Sequence, residues 1–555
     1  MEQRRVLLAI AVSLIIVVLY QELVVRRFYP TQDQPTPVAE ASPAAAPAPG
    51  EPPRKADAPA APVVPAEAAA QARDVVVDTD LYRATFTTLG ARLKGFELKH
   101  YRTTVAPDSP PLQLILFPTE GRLPLGVTLL GSGEPLNDAA VPYTVDQNGA
   151  DLGADGTATL TFTGQLPGGA TVRKRVTLHG HDYLWGLDLD VASVPAGYTQ
   201  MSVAWDEGMD PAGANATEVV FDQLLVLENN KLQAHPFAKF EGATPIENKG
   251  DIGWLGFSGR YFLAAMVPQS EQTNDLRAWM RRQQETVEGQ LIFPPTTFQA
   301  SAEVYAGPKD INRLEAVGHG LRKAVDLGWF TFIALPMLQA LRFLHRFTGN
   351  YGVAIIVLTM IIKGLFYPLT KKSFESMRAM QKLQPEMQKI RERLKDKPDE
   401  MNREVMELYR RHKVNPLGGC LPMVLQIPVF VGLYNALLNA VELRHAPFIG
   451  WITDLSAPDR LGTLQLPFVP HPGIPVLTLV MGVSMLVQQW MTPSAADPAQ
   501  QRAMMIMPLV FTFMFVSFPA GLTLYWLVNN LLTIGQQYAM LRTNPDAARV
   551  AAHRD

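Results

Sequence analysis

Few residues in this chain are spaced for covalent chemistry. Gly256-Phe257-Ser258-Gly259 has the shape of an intramembrane serine protease motif, in which a serine hydroxyl attacks a carbonyl after a base takes its proton. It falls in a β-rich stretch, and no histidine occurs in any long apolar run to act as that base. No aspartate pair occurs in those runs either, which excludes an aspartyl intramembrane protease. His179-Gly180-His181-Asp182 is half a metal site at most; no further ligands cluster near it, and a strand-turn surface is the simpler reading. There is no Gly-Lys dipeptide, hence no Walker A loop, and no His-Glu-x-x-His. The lone cysteine, Cys420, excludes an intrachain disulfide framework and reads as packing at a helix start. No cofactor and no metal are expected.

One ionisable residue stands out because of where it lies. Lys363 sits inside the apolar run from Val353 to Pro368. A cation in a helix at bilayer depth costs about 2.5–3.5 kcal/mol on insertion scales. Lys363 is seven residues before Thr370, roughly 10 Å from the end of the run at a helical rise of 1.5 Å per residue, so its stem could snorkel to the headgroups. The alternative, which the sequence favours, is a wet cavity open to the cytoplasmic side. Gln426, Asn435, Gln488, Gln489, Asn529 and Asn530 lie in the other apolar runs, and amides in hydrocarbon need partners or water. The same runs hold no carboxylate to neutralise Lys363. Met360, Met423, Met481, Met485, Met504, Met505, Met507 and Met514 read first as ordinary packing and second as walls that adapt to varied apolar helices.

The elements around Lys363 follow from composition. The 555 residues are too many for one core. The net charge of −3 gives no basic field for wrapping nucleic acid, and no specific DNA binding is expected. Charged residues are only 18%, and the mean hydropathy of +0.04 averages long apolar runs with a soluble-looking stretch. Residues 1–29, two arginines followed by an apolar run, form an expected uncleaved membrane anchor with its N-terminus inside. Residues 30–73, rich in Pro and Ala, form a disordered tether. Residues 74–308 alternate in period two, as in Tyr183, Trp185, Leu187, Leu189 and Val191, and predict a large antiparallel β-sandwich outside the cytoplasm. Thr157–Thr163 and Thr171–Leu178 predict a hairpin about Pro167-Gly168-Gly169.

Residues 309–350 form a linker and an amphipathic helix, expected over Leu314–Thr348 and interrupted at Pro336, lying at the outer membrane–water interface. Five spans are expected at about 351–369, 417–438, 474–491, 503–518 and 521–539, six with the anchor, followed by a short tail over 542–555. The loop Lys371–Lys413 holds thirteen Lys/Arg against eight Asp/Glu, whereas Glu442–Gly473 holds only Arg444 and Arg460. The positive-inside rule puts the first loop and both termini in the cytoplasm, as the anchor also does. Phe374, Met377, Met380, Leu383, Met387, Ile390 and Leu394 predict one helical stripe, and Met401, Val405, Leu408 and Tyr409 a second helix with Asp399 as N-cap. This basic hairpin is either a solvated face or a contact for ribosomal RNA or anionic lipid heads.

These segments together resemble the YidC/Oxa/Alb family of membrane protein insertases, of the Gram-negative YidC type. The resemblance rests on Gly349-Asn350-Tyr351-Gly352, Tyr367-Pro368-Leu369-Thr370-Lys371, Leu383-Gln384-Pro385, Val414-Asn415-Pro416-Leu417-Gly418-Gly419-Cys420, Phe518-Pro519-Ala520-Gly521-Leu522 and Leu524-Tyr525-Trp526. It implies a multi-domain membrane protein: six transmembrane helices, a periplasmic β-supersandwich similar to sugar mutarotases but without catalytic use, and a cytoplasmic helical hairpin. It implies a hydrophilic groove open to cytoplasm and lipid but closed to the periplasm. The groove's substrate contacts here would be Lys363, Thr359, Gln426, Gln489, Tyr525, Trp526 and Asn530. Hairpin contacts would be Lys371, Lys372, Arg391, Arg393, Arg410 and Arg411. Lys363 stands where the family typically has arginine, so charge is kept and the bidentate fork is lost. Trp526 stands where a tyrosine is frequent. Implied partners are nascent membrane proteins, the Sec translocon including SecDF, ribosomes and membrane lipids. A secondary transporter would want an inverted repeat, which is not visible. A membrane-tethered carbohydrate enzyme is the other alternative.

Overall fold

The computed structural model describes residues 70–115, 122–208, 221–240, 244–269, 275–283, 286–395, 397–415, 421–465, 472–492 and 498–542. The expected anchor and nearly all of the tether lie outside these. Described residues up to Val325 form one compact unit, and those from Asp326 onward form another.

The first unit is built from sheets of five, nine and six strands. Leu184–Ala192 buries Trp185, Leu187, Leu189 and Val191 and turns Gly186, Asp188 and Asp190 outward, as strict alternation requires. Thr157–Gln165 and Thr171–His179 pair antiparallel across Pro167-Gly168-Gly169, where both glycines take positive φ (91° and 94°). One pairing departs from the expected all-antiparallel arrangement: Asp74–Thr79 lies parallel to Gly149–Leu152. The chain between them is long enough to make the crossover that a parallel pair needs.

Where the sheets meet, the core is charged. Lys174, from the nine-stranded sheet, is fully buried. Its Nζ lies 2.6 Å from Asp138 Oδ2 and donates to the carbonyl oxygens of Leu125 (2.6 Å) and Gly90 (2.7 Å). Arg92, from the five-stranded sheet, reaches Asp138 Oδ1 at 2.9 Å and Asp206, in the six-stranded sheet, at 3.6 Å. The Tyr143 hydroxyl donates to Asp138 Oδ2 at 3.1 Å. Asp138 therefore answers two buried cations. Asp206 is paired in register with Glu288, a like charge directly opposite. Burial, and then Glu288, push the Asp206 carboxyl up to about 7.

The helices are α1 (Ile311–Val317), α2 (Thr331–Thr348), α3 (Tyr351–Lys382), α4 (Gln384–Arg393), α5 (Pro398–Arg411), α6 (Leu421–Asn439), α7 (Val476–Met491), α8 (Pro498–Phe515) and α9 (Ala520–Arg542). α1 belongs to the first unit, capped by Asp310, which accepts from the Arg313 N–H at 2.9 Å. The helix expected over Leu314–Thr348 is thus two helices. Gly318, Gly320 and Gly328 between them all take positive φ, which no helix continues. α2 runs through Pro336 unbroken. It buries Ala334, Leu338 and Leu341 and leaves Phe332, Phe343 and Phe347 exposed, with Trp329 exposed just before it.

α3 starts on an Asn350 cap, which accepts from the Val353 N–H at 3.1 Å, and continues to Lys382. The single stripe expected from Phe374 to Leu394 breaks at Leu383, because Pro385 lacks an N–H and opens a new helix instead. Asp399 is not the cap of α5. Lys397 holds that position, Pro398 takes the first turn, and Asp399 faces the positive end of the dipole. Among the described residues, α3 alone is long and apolar enough by length and composition to cross a membrane. Leu425–Asn439, Val476–Met491 and Met504–Phe515 are apolar but shorter. The expected six spans are not reached on that criterion.

Two outcomes are expected for the first unit. Asp138→Asn leaves Lys174 and Arg92 without a full counter-charge and should destabilise by about 3–5 kcal/mol, more than Lys174→Met, which leaves Asp138 paired to Arg92; denaturant unfolding measures both. Asp206 holds its proton more tightly folded than unfolded, so its contribution to stability falls as pH rises from about 4 through about 7. Thermal unfolding should show Asp206→Asn flattening that slope.

Candidate substrate groove

α3 places Thr359 and Lys363 one turn apart on one face. Thr359 is buried, and its hydroxyl donates to the Ile355 carbonyl at 2.6 Å, so it is satisfied within its own helix. Lys363 is 9% exposed. Its Nζ donates to Thr533 Oγ1 at 2.8 Å, and that hydroxyl donates onward to the Asn529 carbonyl at 2.7 Å. Asn529 Oδ1 accepts from Gln426 Nε2 at 2.9 Å. A polar chain therefore runs from α3 across α9 to α6. Among the described residues no carboxylate pairs with Lys363.

α9 carries the rest of the polar lining. Asn530 Nδ2 donates to Ser484 Oγ on α7 at 3.1 Å, and Gln537 Nε2 to Thr492 Oγ1 at 3.1 Å. Asn529, Asn530, Thr533 and Gln537 recur at three- and four-residue spacing among apolar neighbours. That periodicity marks Gln537; Thr533 falls on it too, but a threonine in a helix is ordinary until the ammonium beside it is known. Ser484 and Thr492 carry no such signal.

Not every expected residue joins this chain. Tyr525 is buried, its ring 6.4 Å from Trp526. Trp526 packs on Phe430 (5.2 Å) and Phe515 (5.7 Å), and its indole N–H is buried without a hydrogen bond. Trp526 therefore shapes an aromatic wall, whereas Tyr525 borders both that wall and the polar line, its hydroxyl lying beside the Gln426 side chain. Gln489 is half-buried and makes no side-chain hydrogen bond among the described residues. Asn435 does not belong with Lys363: it packs against Gly328, ahead of α2.

α4 and α5 meet through a small core of Leu383, Met387 and Leu408, flanked by Ile390, Val405, Tyr409 and Val414; the Tyr409 hydroxyl lies 2.9 Å from Met387 Sδ. Arg393 pairs with Glu404, and Arg411 with Glu407 at 2.7 Å. Lys371, Lys372 and Arg410 are exposed and make no ion pair among the described residues, while Arg391 is half-buried. The hairpin thus neutralises part of its charge internally.

The β unit offers less. Ser258 is fully buried at the end of its strand, accepting from Lys309 Nζ at 3.1 Å and donating to the Gly259 carbonyl at 3.2 Å, so no substrate reaches it. A cleft of about 460 Å³ opens on the outer face of the nine-stranded sheet. Its Asp188 and Asp190 already accept from Ser301 (2.6 Å) and Gln299 (3.1 Å), the cross-strand pairing of a solvated face.

Residues 343–547 match the family model described as 60Kd inner membrane protein, and residues 74–340 match that of the YidC periplasmic domain. The chain belongs to the YidC family of membrane protein insertases. It is 41% identical over 547 residues to the membrane protein insertase YidC of Pelobacter propionicus, covering 96% of this chain and 98% of that one. It is 37% identical over 561 residues to that of Syntrophus aciditrophicus, covering 96% and 98%. A crystal structure of an active YidC insertase with its first transmembrane domain resolved aligns over 84% of this chain and 92% of its own at 18% identity, with a TM-score of 0.36. Membership puts the chain in the bacterial inner membrane with its β unit in the periplasm, and nothing favours the transporter or carbohydrate-enzyme alternatives.

Trp526→Ala should destabilise the helical unit by about 3 kcal/mol through loss of its packing on Phe430 and Phe515, and Trp526→Phe by much less. Thermal unfolding of the detergent-solubilised protein is the measurement.

Proposed function

We propose that this chain inserts nascent membrane proteins by receiving their short hydrophilic segments in the groove beside Lys363. The observation that carries the reading is a buried ammonium answered by one neutral hydroxyl, Thr533, with no carboxylate paired to it among the described residues. Such a site favours an incoming carboxylate, which would gain a charge-assisted hydrogen bond worth about 1.5–3 kcal/mol. Thr359, Gln426 and Asn530 extend the polar lining, and Tyr525, Trp526 and Gln489 meet the apolar part of the client. No covalent bond changes. Apolar surface of the client gains about 25 cal/mol per Å² on entering lipid, and over a whole helix this outweighs moving a short polar tail.

The topology that suits this mechanism has six spans, with both termini and the α4–α5 hairpin in the cytoplasm. α2 lies at the periplasmic interface, its exposed Phe332, Phe343 and Phe347 in the headgroup layer. Of the six cations named for the hairpin, Lys371, Lys372 and Arg410 are exposed with no ion pair among the described residues and would meet ribosomal RNA or anionic lipid, with Arg391, Arg393 and Arg411 behind them. The Sec translocon, including SecDF, is the proposed partner for larger clients.

The test is insertion of single-span clients with acidic or neutral translocated tails into vesicles carrying the variants. Lys363→Ala and Lys363→Glu should cut insertion of acidic-tailed clients by roughly tenfold or more, the worth of one charge-assisted bond, and spare neutral-tailed ones. Lys363→Arg should retain activity. Equal insertion of both client classes by Lys363→Glu refutes the role.

A further inference from the structure

Two consecutive residues between α6 and α7 each hold the end of a different helix. Asp459 is buried. Its Oδ2 accepts from the Leu477 N–H at 2.7 Å and its Oδ1 from the Thr478 hydroxyl at 2.9 Å. α7 has no cap of its own, since Pro475 precedes it and makes no capping bond. Asp459 thus caps α7 from outside the helix and sets a negative charge at the positive end of its dipole. Arg460 does the converse. Its Nη2 donates to the Val516 carbonyl at 2.9 Å, one residue beyond α8, where orphan carbonyls gather. Its Nη1 donates to the Asp459 carbonyl at 2.7 Å, which joins the two grips. The same segment holds the start of α9: the Ala520 N–H donates to the Ala457 carbonyl (2.7 Å) and the Gly521 N–H to the Leu455 carbonyl (2.9 Å).

Residues 455–460 therefore clasp α7, α8 and α9 at one end. Lys363 is elsewhere: its partner Thr533 lies thirteen residues along α9 from Ala520, about 20 Å at 1.5 Å per residue. Between the two, Thr523 is fully buried.

We propose that Asp459 and Arg460 are positioning residues for insertion, fixing the helix ends remote from Lys363 so that the groove stays shut on the periplasmic side while it opens at the other. This rests on the groove reading above and assigns its closure to two adjacent residues. Neither residue touches the client.

The experiment uses the full chain in the Cys420→Ser background, with Thr523→Cys as the reporter and a membrane-impermeant maleimide added from the periplasmic side. In the parent, labelling should be slow. Asp459→Ala should raise its rate about fivefold or more, and Asp459→Asn, which keeps one acceptor, by less. Asp459→Ala should lower insertion of every client regardless of tail charge. Lys363→Ala should leave labelling slow, so the groove reading and the clasp fail separately. A cap that served stability alone would lower the melting temperature and leave the labelling rate unchanged, which overturns the proposal; so does parental labelling with parental insertion. Where Asp459→Ala does not accumulate, Asp459→Asn and Arg460→Gln decide by the same readouts.

Discussion

A buried ammonium must be answered by something. In the helical unit the answer to Lys363 is the hydroxyl of Thr533, itself tied to a backbone carbonyl and, through Asn529, to Gln426. This arrangement dictates the character of α9. A helix among apolar neighbours has to carry asparagines, a threonine and a glutamine on one stripe, because each amide needs a partner and the partners lie on α6 and along α7 to its C-cap. Through Thr533 the stripe gives the cation an acceptor, and among the described residues no carboxylate compensates its charge.

The β unit meets the same problem in the opposite way. Lys174 is as buried as a lysine can be, yet it has a carboxylate at 2.6 Å and two carbonyls within 2.7 Å. Asp138 is shared with Arg92, which reaches on to a third sheet. Every proton of that ammonium has an acceptor, so the cluster can join sheets but has no capacity left for a ligand. Among the described residues Lys363 has one neutral acceptor, Thr533. In the proposed reading the difference between a structural and a receptive lysine lies in this count, and burial alone does not reveal it.

Much of this was legible in the sequence, and the omissions have physical causes. Alternation in Leu184–Ala192 and the glycine turn before Thr171 specify strands and a hairpin outright, because period two and positive φ are local properties. Lys363 announced itself by its cost in an apolar run. The chain could not announce Thr533, since a threonine in a helix is ordinary until the ammonium beside it is known. Asn435 misled for the matching reason: an amide in an apolar run signals a partner, and its location along the helix axis is decided by packing against Gly328. The break at Leu383 was written in Pro385, but the apolar periodicity on either side masked it. Asp399 looked like a cap because its type fits, and Pro398 took the first turn because φ near −65° suits that position better than any other.

The two ends of the helical unit are held unequally, and that inequality fits a machine driven only by partitioning. At one end, buried charge and backbone bonds from residues 455–460 fix three helices, and the Asn350 side chain, which caps α3, also donates to the Phe448 carbonyl at 3.0 Å. Near Lys363 the ties are single hydrogen bonds, one from the ammonium to the neutral Thr533 hydroxyl and one between the neutral amides of Gln426 and Asn529, the latter worth about 1 kcal/mol net. A client's polar segment can replace such bonds one for one as it enters, so admitting it costs little. It cannot replace a capped dipole or a buried guanidinium in the same way. In the proposed mechanism, driven by partitioning, the barrier has to be low on the side where the client arrives and high on the side that must not leak. The placement of charged clasps at one end and exchangeable amides at the other meets both requirements within one bundle.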